Sequence, residues 1–308
     1  MADNYLELMK QCAAAAGVEP SEFVLPTDGY AELGGLRFHW LDWGNAHLPH
    51  VLLLHGGSLT AHTWDMAVLG LRHKYHFVAL DQRGHGDTEW TPEQQFELDS
   101  SDLMLEDTRA FVDYLGWSGF ALVGMSMGGI NAIRYAARHS DAVAALGIVD
   151  VAPVSMGEGQ REMADYREAT DVLDNFEDFV DRSKKFMPHR AEAHLRYSLH
   201  HSLKPTADDR YTWKRDMRPR PSVVVSEEET ARHTAQRWAE VAAIDVPTLL
   251  FRGANSKILS VGAASQMIET LRTGRLVTIE GATHNVHSDN PVDFARELDG
   301  FLTPILSP

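Results

Sequence analysis

Short apolar runs recur along the chain, and most are followed by a stretch with helical spacing. Residues 36–43 alternate apolar and polar, as a half-exposed antiparallel strand does. Residues 51–54, 120–123 and 143–149 are instead continuously apolar, the pattern of strands buried on both faces, and 76–80, 247–253 and 275–279 read as further strands. Helical spacing falls near 61–71, 102–115, 130–139 and 261–271, and Pro291 opens a last helix at a position where proline is favoured. Strands alternating with helices of this length predict an α/β fold, a mostly parallel sheet with helices on both faces. Residues 1–20 read as an N-terminal helix ending at Gly17, outside the main fold.

The alternation stops after Asp150. Residues 153–228 are rich in charge, His and Met, show helical periodicity over 171–186 and 190–201, and contain no strand-like run. Arg218-Pro219-Arg220-Pro221 breaks the pattern before the strand–helix alternation resumes. The expected organisation is a core made of residues 1–152 and 229–308, interrupted by a helical cap over 153–228.

Composition narrows the function classes. With 44% hydrophobic residues in 308, there is material for one large core plus an inserted module. A formal net charge of -16 argues against nucleic acid or an anionic membrane surface as a partner. Cys12 is the only cysteine, so neither an internal disulfide nor a cysteine metal site can form. No secretory pattern opens the chain and no run of about eighteen apolar residues occurs, so a cytoplasmic location is expected. The oligomeric state stays open, a homodimer among the options.

The stretch with the clearest chemistry is Gly124-Met125-Ser126-Met127-Gly128, set between an apolar strand and a helix. Gly-x-Ser-x-Gly at such a junction lifts the serine hydroxyl above the sheet edge on a tight turn. It also leaves the Met127 amide at a helix N-terminus, where negative charge is stabilised. A serine hydroxyl needs a base to become nucleophilic. His284 follows the last strand, at the carboxyl edge where ligands of parallel sheets bind, with His287 as its rival. His194, His200 and His201 match no metal-site spacing, so neither a metal nor a cofactor is expected.

Four motifs in order carry a family resemblance: His55-Gly56-Gly57, Asp81-Gln82-Arg83-Gly84-His85-Gly86, the Ser126 turn, and Gly281-Ala282-Thr283-His284 ahead of Pro291. With these the chain resembles an α/β-hydrolase with a helical cap. The resemblance implies an eight-stranded sheet with the cap inserted after the sixth strand. It implies Ser126 as nucleophile, His284 as base, and the amides of Gly57 and Met127 as the oxyanion hole. It makes the 81–86 loop architectural and gives His55 the task of orienting its own loop. The pocket is expected to involve Ser58, Trp64 and Met125.

In one place the pattern departs from the family. The acid that orients the histidine usually follows the seventh strand, but residues 252–260 carry no carboxylate, and Lys257 stands in that loop. Some family members place the acid after the sixth strand, where Asp150 stands; Asn255 is a weaker, uncharged candidate. The function implied is cleavage of a small to medium, partly apolar carboxylic ester or lactone through an acyl-enzyme. Carbon–carbon bond hydrolysis and perhydrolase-type chemistry would use the same residues, and a catalytically weak ligand-binding receptor is the alternative of a different class. Serine in place of aspartate at position 126 argues against dehalogenase or epoxide hydrolase action.

Overall fold

A computed structural model describes residues 2–96, 100–169, 171–218 and 226–306. Its main sheet has eight strands: β1 (Thr27–Leu33), β2 (Leu36–Asp42), β3 (His50–Leu54), β4 (His76–Asp81), β5 (Phe120–Met125), β6 (Val143–Val149), β7 (Thr248–Gly253) and β8 (Gly274–Ile279). Their order across the sheet is β1-β2-β4-β3-β5-β6-β7-β8. β1 and β2 pair antiparallel, and β2 runs antiparallel to β4; from β4 to β8 every pairing is parallel. β1 was not expected from sequence, because Thr27–Leu33 is a half-exposed edge strand without an apolar stripe.

The strands buried on both faces divide their side chains between two cores, as the period of two requires. Val51, Leu53, Ala121 and Val123 join a cluster covered by α1 (Ala2–Ala16), α2 (Asp65–Leu71) and α10 (Pro291–Leu306). Leu52, Leu54, Phe120 and Leu122 join the opposite cluster under α3 (Ser100–Leu115), α4 (Met127–Arg138), α8 (Glu227–Ala242) and α9 (Val261–Thr270). Each fully buried side chain of this kind contributes roughly 1.5–3 kcal/mol relative to exposure. The expectation that the N-terminal helix lies outside the main fold is overturned. Met9, Cys12 and Ala13 of α1 are completely buried in the first core, because they recur on one face of the helix.

Between β6 and β7 the chain forms α5 (Gly157–Ala169), α6 (Phe176–Phe186) and α7 (Glu192–Ser202). It also forms a three-stranded antiparallel ribbon of Val172–Leu173, Leu203–Pro205 and Tyr211–Trp213, which corrects the reading that this region holds no strand. Strands of two or three residues are too short to leave a periodic signature. Phe179, Val180, Leu199, Leu203 and Trp213 give the insertion its own small core. The loop after β4 docks the ribbon: Gly86 N–H donates to the Lys214 carbonyl and Asp216 N–H to the Gly84 carbonyl, both at 2.7 Å. Residues 219–221 of the expected pattern break at 218–221 lie outside the described residues.

Candidate active site

The register of the parallel strands sets one row of residues along the carboxyl edge of the sheet. Met125 pairs with Val149, and Val149 with Phe251, so Ser126 and Asp150 emerge side by side with the start of the β7 loop beyond them. Ser126 holds φ 51° and ψ -114°, and α4 begins at the next residue. A non-glycine residue rarely adopts such a φ, and the surrounding packing imposes it. A Cβ at Gly124 would lie 2.2 Å from the Gly128 carbonyl oxygen, and one at Gly128 would lie 2.3 Å from that of Leu54. Only glycines let the turn close this tightly. Ser126 N–H donates to the Val149 carbonyl at 3.1 Å, and Gly128 N–H to that of His55 at 3.1 Å, which ties the turn to β6 and to the loop after β3.

That loop is held from behind. His55 is completely buried; its Nδ1–H donates to the Gly56 carbonyl at 2.8 Å, while its Nε2 accepts from Gln82 N–H at 3.0 Å. Burial keeps this imidazole below its ordinary range and therefore neutral. Gln82 Nε2–H returns a bond to the His55 carbonyl at 2.6 Å. Asp81 accepts from Ala61 N–H at 2.7 Å and binds His39 Nδ1 at 2.7 Å. Burial pushes the Asp81 carboxyl up, but the hydrogen bond and charge of His39 outweigh it and hold the group at about 2. The 81–86 loop is thus a scaffold for both the site and the insertion. Gly57 meets open space: a Cβ there would come no closer than 3.9 Å to any neighbour, the Met127 sulfur.

Asp150 is completely buried, with φ 52°. Its Oδ1 accepts from Gly253 N–H at 3.0 Å, and its Oδ2 accepts from Ser256 Oγ–H at 2.5 Å and from His284 Nδ1–H at 2.8 Å. A buried carboxylate is costly unless hydrogen-bonded, and here both oxygens are satisfied. The loop after β7 supplies the hydroxyl and the amide that hold the acid rather than an acid of its own. Ser256 also accepts from the amides of Ile258 and Leu259 at 3.1 Å each. Sequence reading missed Ser256, since no motif or periodicity marks it; the only available hint was a hydroxyl in a loop where an acid was absent. Asn255 lines the cavity, but the Nδ1 face of His284 goes to Asp150. Lys257 turns outward to Glu158 (3.2 Å) and Glu162 (2.6 Å) of α5.

The His284 loop is fixed from its far side. Asp289 accepts from Thr283 N–H and Oγ–H at 2.8 and 2.5 Å, and from Arg190 of the insertion at 2.7 Å. Burial raises the Asp289 carboxyl, but Arg190 foremost, with His189 and Thr283, brings it far below the carboxylate range. The rival His287 is fully buried, bonded to Thr63 Oγ1 at 2.9 Å and lying against Trp64, with ring centroids 4.1 Å apart. Trp64 itself is fully buried between His287 and Phe294, which corrects its expected place in the pocket; its indole is core packing.

A cavity of about 990 Å³ lies between the sheet edge and the insertion. Ser126, His284, Gly57, Met127, Ser58 and Met125 line its floor. Ile130 and Val151 add apolar floor, and Met163, Phe186, Met187 and Leu199 an apolar roof. His194, one of the histidines weighed for metal, bonds to Ser288 Oγ at 2.9 Å. Among the described residues no helix is long and apolar enough to cross a membrane.

The sequence matches the family described as serine aminopeptidase, S33, over residues 46–291. This chain belongs to that α/β-hydrolase family. Among relatives of this hydrolase, esterase Rv0045c of Mycobacterium tuberculosis is 29% identical over 269 residues, 85% of either chain. The sn-1-specific diacylglycerol lipase ABHD11 of Mus musculus is 27% identical over 274 residues, covering 87% of this chain and 85% of that one. A solved structure of the mycobacterial esterase superposes with a TM-score of 0.75 at 26% identity, covering 97% of this hydrolase and 98% of that chain.

Proposed function

We propose that this α/β-hydrolase is a serine carboxylesterase acting on a small to medium, partly apolar ester or lactone. The observation that carries the reading is the buried Asp150 carboxylate on His284 Nδ1 at 2.8 Å, with Ser126 on the same cavity floor. That bond fixes the proton on Nδ1 and leaves Nε2 as the base nitrogen. In the proposed reaction Ser126 Oγ attacks the ester carbonyl while Nε2 takes its proton, and Asp150 stabilises the imidazolium that results. The carbonyl oxygen becomes an oxyanion between the amides of Gly57 and Met127, each worth about 3 kcal/mol or more in the transition state. The tetrahedral adduct collapses as His284 gives the proton to the leaving alcohol, which departs from the acyl-serine. Water then attacks with His284 again as base, releasing the acid and restoring Ser126.

Relatives named as an esterase and a lipase support ester cleavage, and the apolar roof supports a partly apolar substrate. The test is turnover of p-nitrophenyl acetate and butyrate beside an aminoacyl p-nitroanilide. Wild type is expected to cleave the esters and not the anilide. Ser126→Ala should lower kcat by about 10⁴-fold or more and Asp150→Asn by about 10³–10⁴-fold, with folds intact. Ester turnover that survives Ser126→Ala would overturn the reading, and preferential anilide cleavage would move it to a peptidase.

A further inference from the structure

A second cluster of chemistry-bearing side chains stands beside the cavity, outside the machinery described above. Asp65 at the start of α2 is completely buried, and neither a lysine nor an arginine pairs with it among the described ion pairs. Its Oδ2 takes a bond from Tyr197 Oη–H and another from His62 Nδ1 at 2.8 Å, while its Oδ1 has no hydrogen-bond partner. A buried carboxylate without a full counter-charge and with one bare oxygen is expensive to keep. Facing it, His201 of α7 is 8% exposed, its Nε2 is buried without a partner, and its ring stacks on that of His62 with centroids 3.7 Å apart. Two imidazoles stacked this closely cannot both be protonated without repulsion. The Nε2 of His201 is thus a buried ring nitrogen left without a partner on the side of the acid.

The ligand atoms of His62, Asp65 and His201 all lie within 4.8 Å of one another. We propose that these three residues bind one divalent transition ion of the Zn²⁺, Co²⁺ or Ni²⁺ class, clamping the insertion to the core. Two imidazoles and a carboxylate are the donor set such ions take, and the ion would supply the positive charge that Asp65 lacks. Ligands of a tetrahedral ion sit roughly 3.4 Å apart, so the present 2.8 Å contact between His62 and Asp65 has to open by about half an ångström, Tyr5 Oη has to leave His62 Nδ1 (3.3 Å), and the stacked His62 and His201 rings have to turn until both lone pairs meet at the ion. Tyr197 Oη–H remains behind as a donor to the carboxylate. His62 lines the cavity, which provides the entry path. The other histidine–carboxylate group, His39 with Asp81 and Asp87, differs: both ring nitrogens of His39 are already bonded, to Asp81 and Asp28.

The full-length protein, stripped with chelator, would be titrated with Co²⁺ and followed by its visible ligand-field absorption and by Tm. Wild type should bind one ion per chain with a ligand-field band, and its Tm should rise with Co²⁺ concentration. His201→Ala and Asp65→Asn should each lose the band and the Tm response. His200→Ala, which removes the neighbouring exposed imidazole, should keep both. No band and no Tm rise in wild type would overturn the proposal even if a variant failed to fold. A response that persists in His201→Ala, or disappears in His200→Ala, would also overturn it. The outcome is independent of ester turnover.

Discussion

At the scale of single residues, the acid is the instructive case. An aspartate at the end of β6 has two readings in sequence, catalytic partner or local cap, and residue type alone cannot separate them. What favours the proposed catalytic reading is the company the carboxylate keeps: His284 arrives from a point 134 positions away, and Gly253 and Ser256 from over 100. Ser256 is the least conspicuous of these and carries a prediction. Ser256→Ala removes a donor from Asp150 and the acceptor for two amides, which should cost about 1–3 kcal/mol of stability. Through a looser Asp150, kcat should fall by about tenfold with little change in KM. Urea unfolding and steady-state kinetics measure the two effects; an unchanged kcat would confine Ser256 to shaping its loop.

At the scale of elements, the glycine-bearing turns separate shape from chemistry. Gly128 is required by the fold, because a Cβ there would press on the Leu54 carbonyl at 2.3 Å and α4 would have to move off β3. Gly57 is under no such constraint, its nearest neighbour lying 3.9 Å from a built Cβ, yet it lines the cavity. Gly128→Ala should therefore destabilise by more than about 3 kcal/mol. Gly57→Ala should keep a near wild-type Tm and lose kcat/KM by at least about tenfold, because its methyl occupies substrate space. Calorimetry paired with kinetics checks both, and a Gly57→Ala enzyme of full activity would remove Gly57 from the site. The turn around Ser126 was legible in sequence because a five-residue steric demand is local. The insertion's ribbon was not, because its strands are defined by their pairing partners and not by their own composition.

At the scale of the whole molecule, the seam between insertion and core is built from buried titratable groups. His194 of the insertion and His287 of the core are each pushed down to about 3, by burial first and by Arg190 second. Both rings are out of contact with solvent, or nearly so. An unfolded chain binds protons on these rings once pH drops below about 6.5, and the folded state does not, so acid favours unfolding. Their contribution is present in full above pH 6.5 and is lost as pH falls from there toward about 3. Each neutral ring costs about 1.4 kcal/mol per pH unit within that window. Asp81 and Asp289, both held low, add loss in the same direction below the carboxylate range. Urea midpoints measured from pH 7.5 to 4.5 should therefore decline steadily, and His287→Asn should flatten part of the slope. A flat series would mean that these rings take up protons without leaving the core.

The alternation of apolar strands with helices, the glycine turn around Ser126 and the order of the four motifs were determined by sequence alone. Each rests on steric or periodic demands spanning a few neighbouring residues. The tertiary structure decided the rest: that α1 packs into the first core, that Trp64 and His287 are packing, and that Asp150 faces His284 with Ser256 behind it. Those outcomes depend on parallel strand register, which brings the ends of β5, β6, β7 and β8 to one edge. Register is a relation between segments far apart in the chain, and no window of residues contains it.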